Sequence, residues 1–141
     1  MVNYLIGNAW KTVPSVPPEL LPDFVAQVAK AGGRYVVFED DYISVQDAIE
    51  NKTRVDMKLL QVKECLIKCR SKLYDAEEVS REMRQAAEGA GRYFFWYLYF
   101  LNFLRRPNLW PEIPPSISTH HELKERWEKG FQQERSKIYR S

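Results

Sequence analysis

Residues 55–104 read VDMKLLQVKECLIKCRSKLYDAEEVSREMRQAAEGAGRYFFWYLYFLNFL, and the spacing of apolar side chains in this segment indicates the architecture. Apolar or small residues recur from Val55 to Leu104 at alternating steps of four and three, which is typical of one continuous helical track. At about 1.5 Å per residue, such a helix would measure about 75 Å, more than the diameter of a compact domain of this size. The pattern therefore predicts a long helix that other proteins or lipid must cover.

The prolines show where long helix is permitted. All eight lie outside residues 23–106, and proline breaks helix interiors because it lacks the backbone N–H and clashes with the preceding turn. The sequence therefore predicts a mainly α fold with one long helix over about 54–104, short flanking helices, and extended proline-containing segments at the N-terminus and over 107–118. The expected divisions are an N-terminal arm with short helices (1–53), the long helix (54–106), and a proline-rich crossing with an amphipathic C-terminal helix (107–141).

Two shorter patterns precede the long helix. A helix is expected over about 22–30, because Gly32 and Gly33 follow it and glycine commonly ends helices. Residues 34–39 (RYVVFE) have the composition of a strand. No second strand is evident, however, and an isolated strand is unstable, so we expect an extended connector there.

Capping signals mark three helix starts. Ser44, Thr53 and Thr119 each precede an acidic residue three positions later, which is the spacing of a capping box. They predict, in order, a short helical turn, the start of the long helix and the start of the C-terminal helix. The C-terminal helix carries an apolar stripe at helical spacing, formed by Leu123, Trp127 and Phe131.

Gly89 and Gly91 interrupt the expected long helix. Each costs about 1 kcal/mol relative to alanine in a helix interior, so their presence needs an explanation. They could form the turn of a helical hairpin, or they could permit close approach of a neighbouring helix, as small residues do where backbones touch. The apolar track keeps its phase across both glycines, which favours a continuous helix, either straight or kinked at this point.

Residues 93–104 (YFFWYLYFLNFL) are apolar or aromatic on every helical face except at Asn102, so they must be buried in protein or in lipid. Counting back to Ala86 gives nineteen residues, enough to span a bilayer, and Arg105 and Arg106 then suit its boundary. Lipid contact is accordingly expected over 93–110. The expected membrane-contacting residues are Phe95, Trp96, Leu98, Phe100, Phe103, Arg105, Arg106 and Trp110. The alternative is the core of a soluble bundle capped by surface arginines.

The 4,3 track also predicts the residues that contact a partner protein. A seam of this kind packs against another helix along its whole length. The expected partner-binding residues are Val55, Leu59, Val62, Leu66, Leu73, Met83, Ala87, Gly91, Phe94, Tyr97 and Leu101.

Composition and motifs exclude several classes of function. The net charge is +2 and basic residues are mixed with acidic ones, so we expect no nucleic acid partner. The sequence has no phosphate-binding loop, dinucleotide fingerprint or nucleophile motif, so we expect no enzyme, no catalytic residues, no cofactor and no small-molecule substrate. Cys65, Cys69, His120 and His121 lack a standard zinc spacing, and no metal site is expected.

These features predict a non-catalytic accessory subunit of a larger membrane-bound complex, of the respiratory-chain or ATP synthase type, whose partners are other protein subunits. The N-terminus lacks the pattern of a cleavable presequence. The type of complex gives the expected location, which is membrane-associated at the mitochondrial inner membrane. The protein would reach it without a cleavable presequence. The alternative is a soluble, cytoplasmic helical adapter that self-associates or pairs through the coiled-coil seam.

Overall fold

The computed structural model describes residues 1–139 and confirms the mainly α fold class. Residues 140 and 141, which end the predicted C-terminal segment, lie outside the described residues. The strands and α-helices of the described part are β1 Val2–Ile6, β2 Ala9–Val13, α1 Leu21–Lys30, β3 Gly33–Phe38, β4 Asp41–Ser44, α2 Val45–Ser71, α3 Ala76–Phe100, α4 Pro115–Ser118 and α5 His121–Ile138.

The chain forms two compact units, each assembled from two separate stretches. The sheet unit comprises Met1–Asn51 and Tyr97–Pro111, and the helical unit comprises Lys52–Trp96 and the chain from Glu112 onward. Helices α2 and α3 contribute residues to both units. Neither unit therefore corresponds to one continuous segment of sequence.

The sheet unit contains a four-stranded antiparallel sheet in the order β2-β1-β3-β4. Two-residue turns join β1 to β2 and β3 to β4, and β1 pairs with β3 in the centre. The predicted extended N-terminal arm and the predicted connector over 34–39 are therefore wrong, because both segments lie in paired strands. Local patterns could not identify β1 as a partner of β3, since β2 and α1 separate the two strands in sequence.

Helix α1 packs on one face of this sheet and confirms the helix predicted over 22–30. Phe24 packs edge-on against Tyr4 of β1, with ring centroids 5.5 Å apart. Gly33 lets β3 approach the end of the helix, because a Cβ at that position would collide with Val28. The buried side chains of the helix repeat at helical spacing and are Leu21, Val25 and Val28. The core of the sheet unit accordingly includes this face of α1.

The turn between β3 and β4 places two non-glycine residues in the left-handed region. Glu39 has φ 49° and Asp40 has φ 67°. A two-residue hairpin turn with positive φ at both positions is of type I′, which strongly prefers Asn-Gly. Arg106 contacts this turn, with its Nη2 3.1 Å from Glu39 Oε2. The turn is therefore a site of backbone strain that a single substitution can relieve.

Replacing Asp40 with glycine is expected to stabilise the protein by about 0.5–1 kcal/mol. Glycine adopts positive φ without the steric cost that an L side chain carries, although it loses more backbone entropy on folding. Chemical denaturation of the variant and the native chain measures the difference. Asp40→Val is the matched control, because a β-branched residue at positive φ should destabilise. Equal stability of the two variants would contradict the claim that the backbone is strained at Asp40.

The outer edge of β4 is closed by residues that follow α3. Asn102, which is itself left-handed at φ 60°, donates from Nδ2 to the main-chain oxygen of Tyr42 at 3.0 Å. Arg105 and Arg106 both pair with Asp41, at N–O distances of 2.6 and 3.0 Å. Exposed strand edges offer unpaired backbone groups to other chains, so these side chains protect β4.

Helix α2 begins earlier than the predicted long helix. It starts at Val45, where Ser44 Oγ donates to Asp47 Oδ2 at 2.8 Å. The helix signal at Ser44 is therefore confirmed, although it opens a long helix rather than a short turn. Thr53 lies within α2, so the start predicted there is wrong.

The predicted single helix over 54–104 is also wrong, because it is divided between α2 and α3. The break falls at residues 72–75, where Lys72 is left-handed at φ 57°. Asp75 Oδ1 then accepts a hydrogen bond from the main-chain N–H of Glu77 at 2.8 Å, which caps the new helix. The 4,3 spacing keeps its phase across this turn, and a spacing pattern records apolar positions rather than backbone direction.

Helices α2 and α3 pack antiparallel within the helical unit. The Arg54 guanidinium lies over the ring of Tyr93, 5.5 Å from its centroid. Further along α2, Gln61 Nε2 donates to Glu82 Oε1 at 3.4 Å. Advancing along α2 thus corresponds to moving back along α3. The track that predicted an external partner packs against its own second half.

Helix α3 is continuous through both of its glycines, and their role as a close-approach site is confirmed at Gly91. A Cβ at Gly91 would collide with the main-chain oxygen of Trp127 in α5. Reciprocally, a Cβ at Gly130 of α5 would collide with the main-chain oxygen of Glu88. The hairpin alternative at Gly89 and Gly91 is therefore wrong, and the backbones of α3 and α5 touch here.

Helix α5 confirms the predicted apolar stripe but not its predicted cap. Thr119 Oγ1 donates to the main-chain oxygen of Pro115 at 2.6 Å, and His120 occupies the N-cap position. Trp127 packs against Phe94, with ring centroids 5.1 Å apart. The three stripe residues are all buried: Leu123, Trp127 and Phe131.

Candidate binding surfaces

Most of the predicted partner seam lies inside the protein. Leu59, Leu66 and Met83 are half-buried, and Leu73 is exposed beside the break between the helices. Packing within the chain thus accounts for most of the apolar spacing that predicted a partner. The buried members of the seam are Val55, Val62, Ala87, Gly91, Phe94, Tyr97 and Leu101.

The predicted membrane-contacting residues are also largely enclosed. Phe95, Leu98 and Phe103 are fully buried, whereas Trp96, Phe100, Arg106 and Trp110 are half-buried and Arg105 is exposed. The indole N–H groups of both tryptophans in this set have protein partners. Trp96 Nε1 donates to Glu134 Oε1 at 3.4 Å, and Trp110 Nε1 donates to the main-chain oxygen of Phe103 at 2.8 Å. Among residues 1–139, no helix combines the length and apolar content that crossing a membrane requires.

The residues considered for metal binding are dispersed. Within the described part of the chain, no three His, Cys, Asp or Glu side chains are grouped in a way that could hold a metal ion. Cys65 is buried and Cys69 is exposed. Burial, followed by the nearby charge of Glu82, raises the pKa of the Cys65 thiol. This keeps it in the less reactive protonated form.

The helical unit exposes a line of apolar side chains along α2. We call Met57, Leu60, Glu64 and Ile67 the outer ridge of α2. Its three apolar members are 55–65% exposed, although large apolar side chains usually lie inside. Leu73 and Tyr74 extend the apolar surface past the end of the helix and are also exposed. The ridge points away from the buried face of α2, which Val55, Val62 and Cys65 form.

Basic side chains border the outer ridge on both sides. At about 100° per residue, Lys63 and Arg70 fall on one flank of the ridge and Lys68 on the other. Lys68 Nζ also lies 4.8 Å from the ring centroid of Tyr74, which ties that flank to the end of the ridge. Residues 52–72 carry seven Lys or Arg and only two Asp or Glu, whereas the whole chain has a net charge of +2. The positive charge is thus concentrated along this helix.

The sequence contained the signal for this ridge. Its four positions follow their own 4,3 spacing, two residues out of step with the seam. The longer and more apolar seam dominates the pattern, and the net charge of the whole chain, +2, conceals the concentration of basic residues over 52–72. Because α3 and α5 cover the seam, the 4,3 spacing of the ridge identifies the apolar surface of α2 that stays exposed.

The sheet unit exposes the face opposite α1. Strand pairing places eight residues there in two rows that each cross all four strands. None of the eight is buried, and Thr12 Oγ1 donates to Asn3 Oδ1 at 2.7 Å across the first row. We call these residues the open sheet face: Thr12, Asn3, Val37 and Tyr42 in one row, and Trp10, Leu5, Tyr35 and Ser44 in the other.

Sequence reasoning missed the open sheet face because it had no sheet on which to place these residues. A face is defined by strand pairing and alternation, and only the third strand was recognised as having strand composition.

No family model matches the chain, and no curated protein or solved structure matches it significantly, so its function must be argued from these surfaces.

Proposed function

We propose that this protein is a non-catalytic accessory subunit that docks on an anionic membrane surface through the outer ridge of α2. The observation that supports this proposal is an exposed ridge, apolar except at Glu64, that lies between two basic flanks. Amphipathic helices with this arrangement lie in the membrane interface, with the apolar side chains inserted and the cations at the level of the headgroups. The association is peripheral, and assembly with other protein subunits would take place on that surface.

The electrostatic contribution to the free energy of membrane binding can be estimated. Each Lys or Arg close to an anionic leaflet contributes about 1 kcal/mol. Lys63, Lys68 and Arg70 on the flanks would therefore contribute about 3 kcal/mol together, which is roughly a hundredfold in affinity, less the repulsion of Glu64 on the ridge. Insertion of Leu60 and Ile67 adds to this, because it removes exposed apolar area from water. The proposal thus requires both the charge and the apolar side chains.

Self-pairing through the same ridge is less favourable. Two copies of α2 meeting along the ridge would bring two strongly basic segments together, and like charges repel. A soluble adapter that pairs through its helices is nevertheless the competing function, and it gives a different experimental result. A relation to respiratory-chain or ATP synthase assemblies, and a location at the mitochondrial inner membrane, stay predictions.

Co-sedimentation with vesicles tests the proposal. The full chain is expected to bind vesicles containing phosphatidylglycerol but not vesicles of phosphatidylcholine alone, and added salt should weaken binding because it screens the cations. The double variant Leu60→Glu with Ile67→Glu should bind at least tenfold more weakly. Its control is Leu20→Glu with Ile138→Glu, which changes exposed apolar residues elsewhere by the same charge.

The flanks are tested separately. The double variant Lys63→Glu with Arg70→Glu should also lose at least tenfold in vesicle affinity. Lys124→Glu with Lys129→Glu, on exposed positions of α5, changes the net charge equally and should retain most of the binding. Failure of the native chain to bind anionic vesicles at low salt would contradict membrane docking. If the native chain sediments as a dimer and the Leu60→Glu variant sediments as a monomer, the result would favour the soluble adapter instead.

A further inference from the structure

The open sheet face departs from the usual pattern of a solvated sheet. An antiparallel sheet with one covered face normally presents polar side chains to water. Here Trp10, Tyr35 and Tyr42 are exposed on that face, with exposures between 41% and 67%. They lie on three different strands, and Leu5 and Val37 fill the positions between them. The surface is therefore aromatic and accessible.

The strand order sets the spacing of the aromatic rings. Trp10 and Tyr35 both lie opposite Leu5, one on each side, so they occupy the same row two strand spacings apart. At about 4.8 Å per strand this is about 10 Å, which is close to the length of one disaccharide repeat in a β-1,4-linked chain. Tyr42 lies one strand further out, in the first row. The faces of aromatic rings carry partial negative charge and attract the C–H groups of a flat sugar ring.

Charge argues against a nucleic acid on this face. None of its eight residues is charged, and the segments that form the sheet unit carry five Lys or Arg against seven Asp or Glu, a net charge of −2. Binding to a phosphate backbone depends on neutralisation by Lys and Arg. The sheet unit would instead repel a polyanion, so a ligand that stacks on these rings is not a polyanion.

Size argues against a protein partner. The rows span three strand spacings and two residues, so the Cα positions cover about 14 Å by 7 Å. A stable protein interface needs about 800 Å² from each partner, far more than this face supplies. A short oligosaccharide, in contrast, matches the length of one row.

Polar groups on and beside the face suit hydroxyl groups. Because Asn3 Oδ1 accepts from Thr12, the Asn3 amide group remains a donor. A groove of about 400 Å³ adjoins the first row and is lined by Asn3, Val37, Glu39 and Asp40 among others. Its carboxylates can accept hydrogen bonds from sugar hydroxyls without requiring a charged ligand.

We infer that the open sheet face binds a neutral, β-linked oligosaccharide, whose sugar rings stack on Trp10 and Tyr35. The interaction is binding only and involves no chemical step. It rests on residues of the sheet unit and is independent of the outer ridge of α2. Either surface can therefore fail its test without affecting the other.

Isothermal titration of the full chain with cellotetraose and with chitotetraose tests this inference. At least one of these tetrasaccharides is expected to bind with a dissociation constant in the millimolar range or below. Trp10→Ala and Tyr35→Ala should each weaken binding at least tenfold. Tyr74→Ala removes an equally exposed aromatic residue from the helical unit and should leave the affinity unchanged. Trp10 is exposed, so its variant should keep the native thermal unfolding temperature.

Four results would overturn the inference. The first is absence of binding by both tetrasaccharides at millimolar concentration, and the second is binding that Trp10→Ala does not alter. The third is Trp10-dependent binding of an oligothymidine without binding of either sugar, which would assign the face to single-stranded nucleic acid. The fourth is a Trp10-dependent dimer with no sugar binding, which would assign the face to a second copy of the chain.

Discussion

Replacing Gly91 with alanine is expected to lower the free energy of unfolding by about 3 kcal/mol, despite the higher helix propensity of alanine. The added Cβ would collide with the main-chain oxygen of Trp127. A backbone atom cannot rotate away as a side chain can, so α3 and α5 would have to separate, and overpacking of this kind costs about 1–3 kcal/mol or more. Urea denaturation followed by circular dichroism measures the change.

Gly89→Ala is the matched control, because it lies on the same helix and gains the same propensity. A Cβ at Gly89 would lie 3.1 Å from Cε of Lys58, the far end of a flexible side chain that can move. We therefore expect Gly89→Ala to be neutral or to stabilise by up to about 1 kcal/mol. Equal effects of the two substitutions would show that the backbones of α3 and α5 do not touch at Gly91. Gly130→Ala tests the reciprocal contact and should resemble Gly91→Ala.

Replacing Trp127 with alanine is expected to cost about 4 kcal/mol, the usual range for removing a fully buried tryptophan. Trp127 is 2% exposed and packs against Phe94, which also contacts Phe131. The substitution would leave a cavity in this aromatic cluster, and partial collapse would not fill it. Denaturant unfolding gives the stability, and binding of a hydrophobic dye reports exposure of the cluster.

Two variants define what is specific about Trp127. Trp127→Phe retains an aromatic ring in the cluster and should lose much less stability than the alanine variant. Lys124→Ala, one turn earlier on the exposed side of α5, should lie within about 0.5 kcal/mol of the native chain. If Trp127→Ala left the stability unchanged, packing against Trp127 would not be what buries the aromatic residues 93–104. They would then need a partner outside the chain, as the membrane interpretation of the sequence proposed.

Regular helical elements could be predicted because their signals are local. The stripe of Leu123, Trp127 and Phe131 and the glycines after α1 locate α5 and α1 from sequence alone. The phase of the apolar track also predicted that α3 continues through Gly91, although the same phase runs across the break at 72–75 and does not by itself establish continuity. In each case the spacing of apolar residues within a few turns carries the information.

The break at residues 72–75 carries one local signal, the N-cap residue Asp75, while Lys72 adopts positive φ without being glycine. The complete sheet could not be predicted because its central pairing is not local. The pairing of β1 with β3 depends on contacts across β2 and α1, and only such pairing reveals that Trp10, Tyr35 and Tyr42 share one face. The outer ridge could be predicted from its 4,3 spacing, but only after the seam had been assigned to the interior.

The protection of β4 has a consequence for synthesis of the chain. All four strands are complete once residue 44 has been made, yet Asn102, Arg105 and Arg106 close the outer edge of β4. While the ribosome extends the chain through α2 and α3, Tyr42 and Asp41 lack these partners. A nascent or truncated chain that ends within α3 therefore carries an open strand edge and is prone to pair with other chains. The segment after α3 ends that vulnerability only once residue 106 has been made.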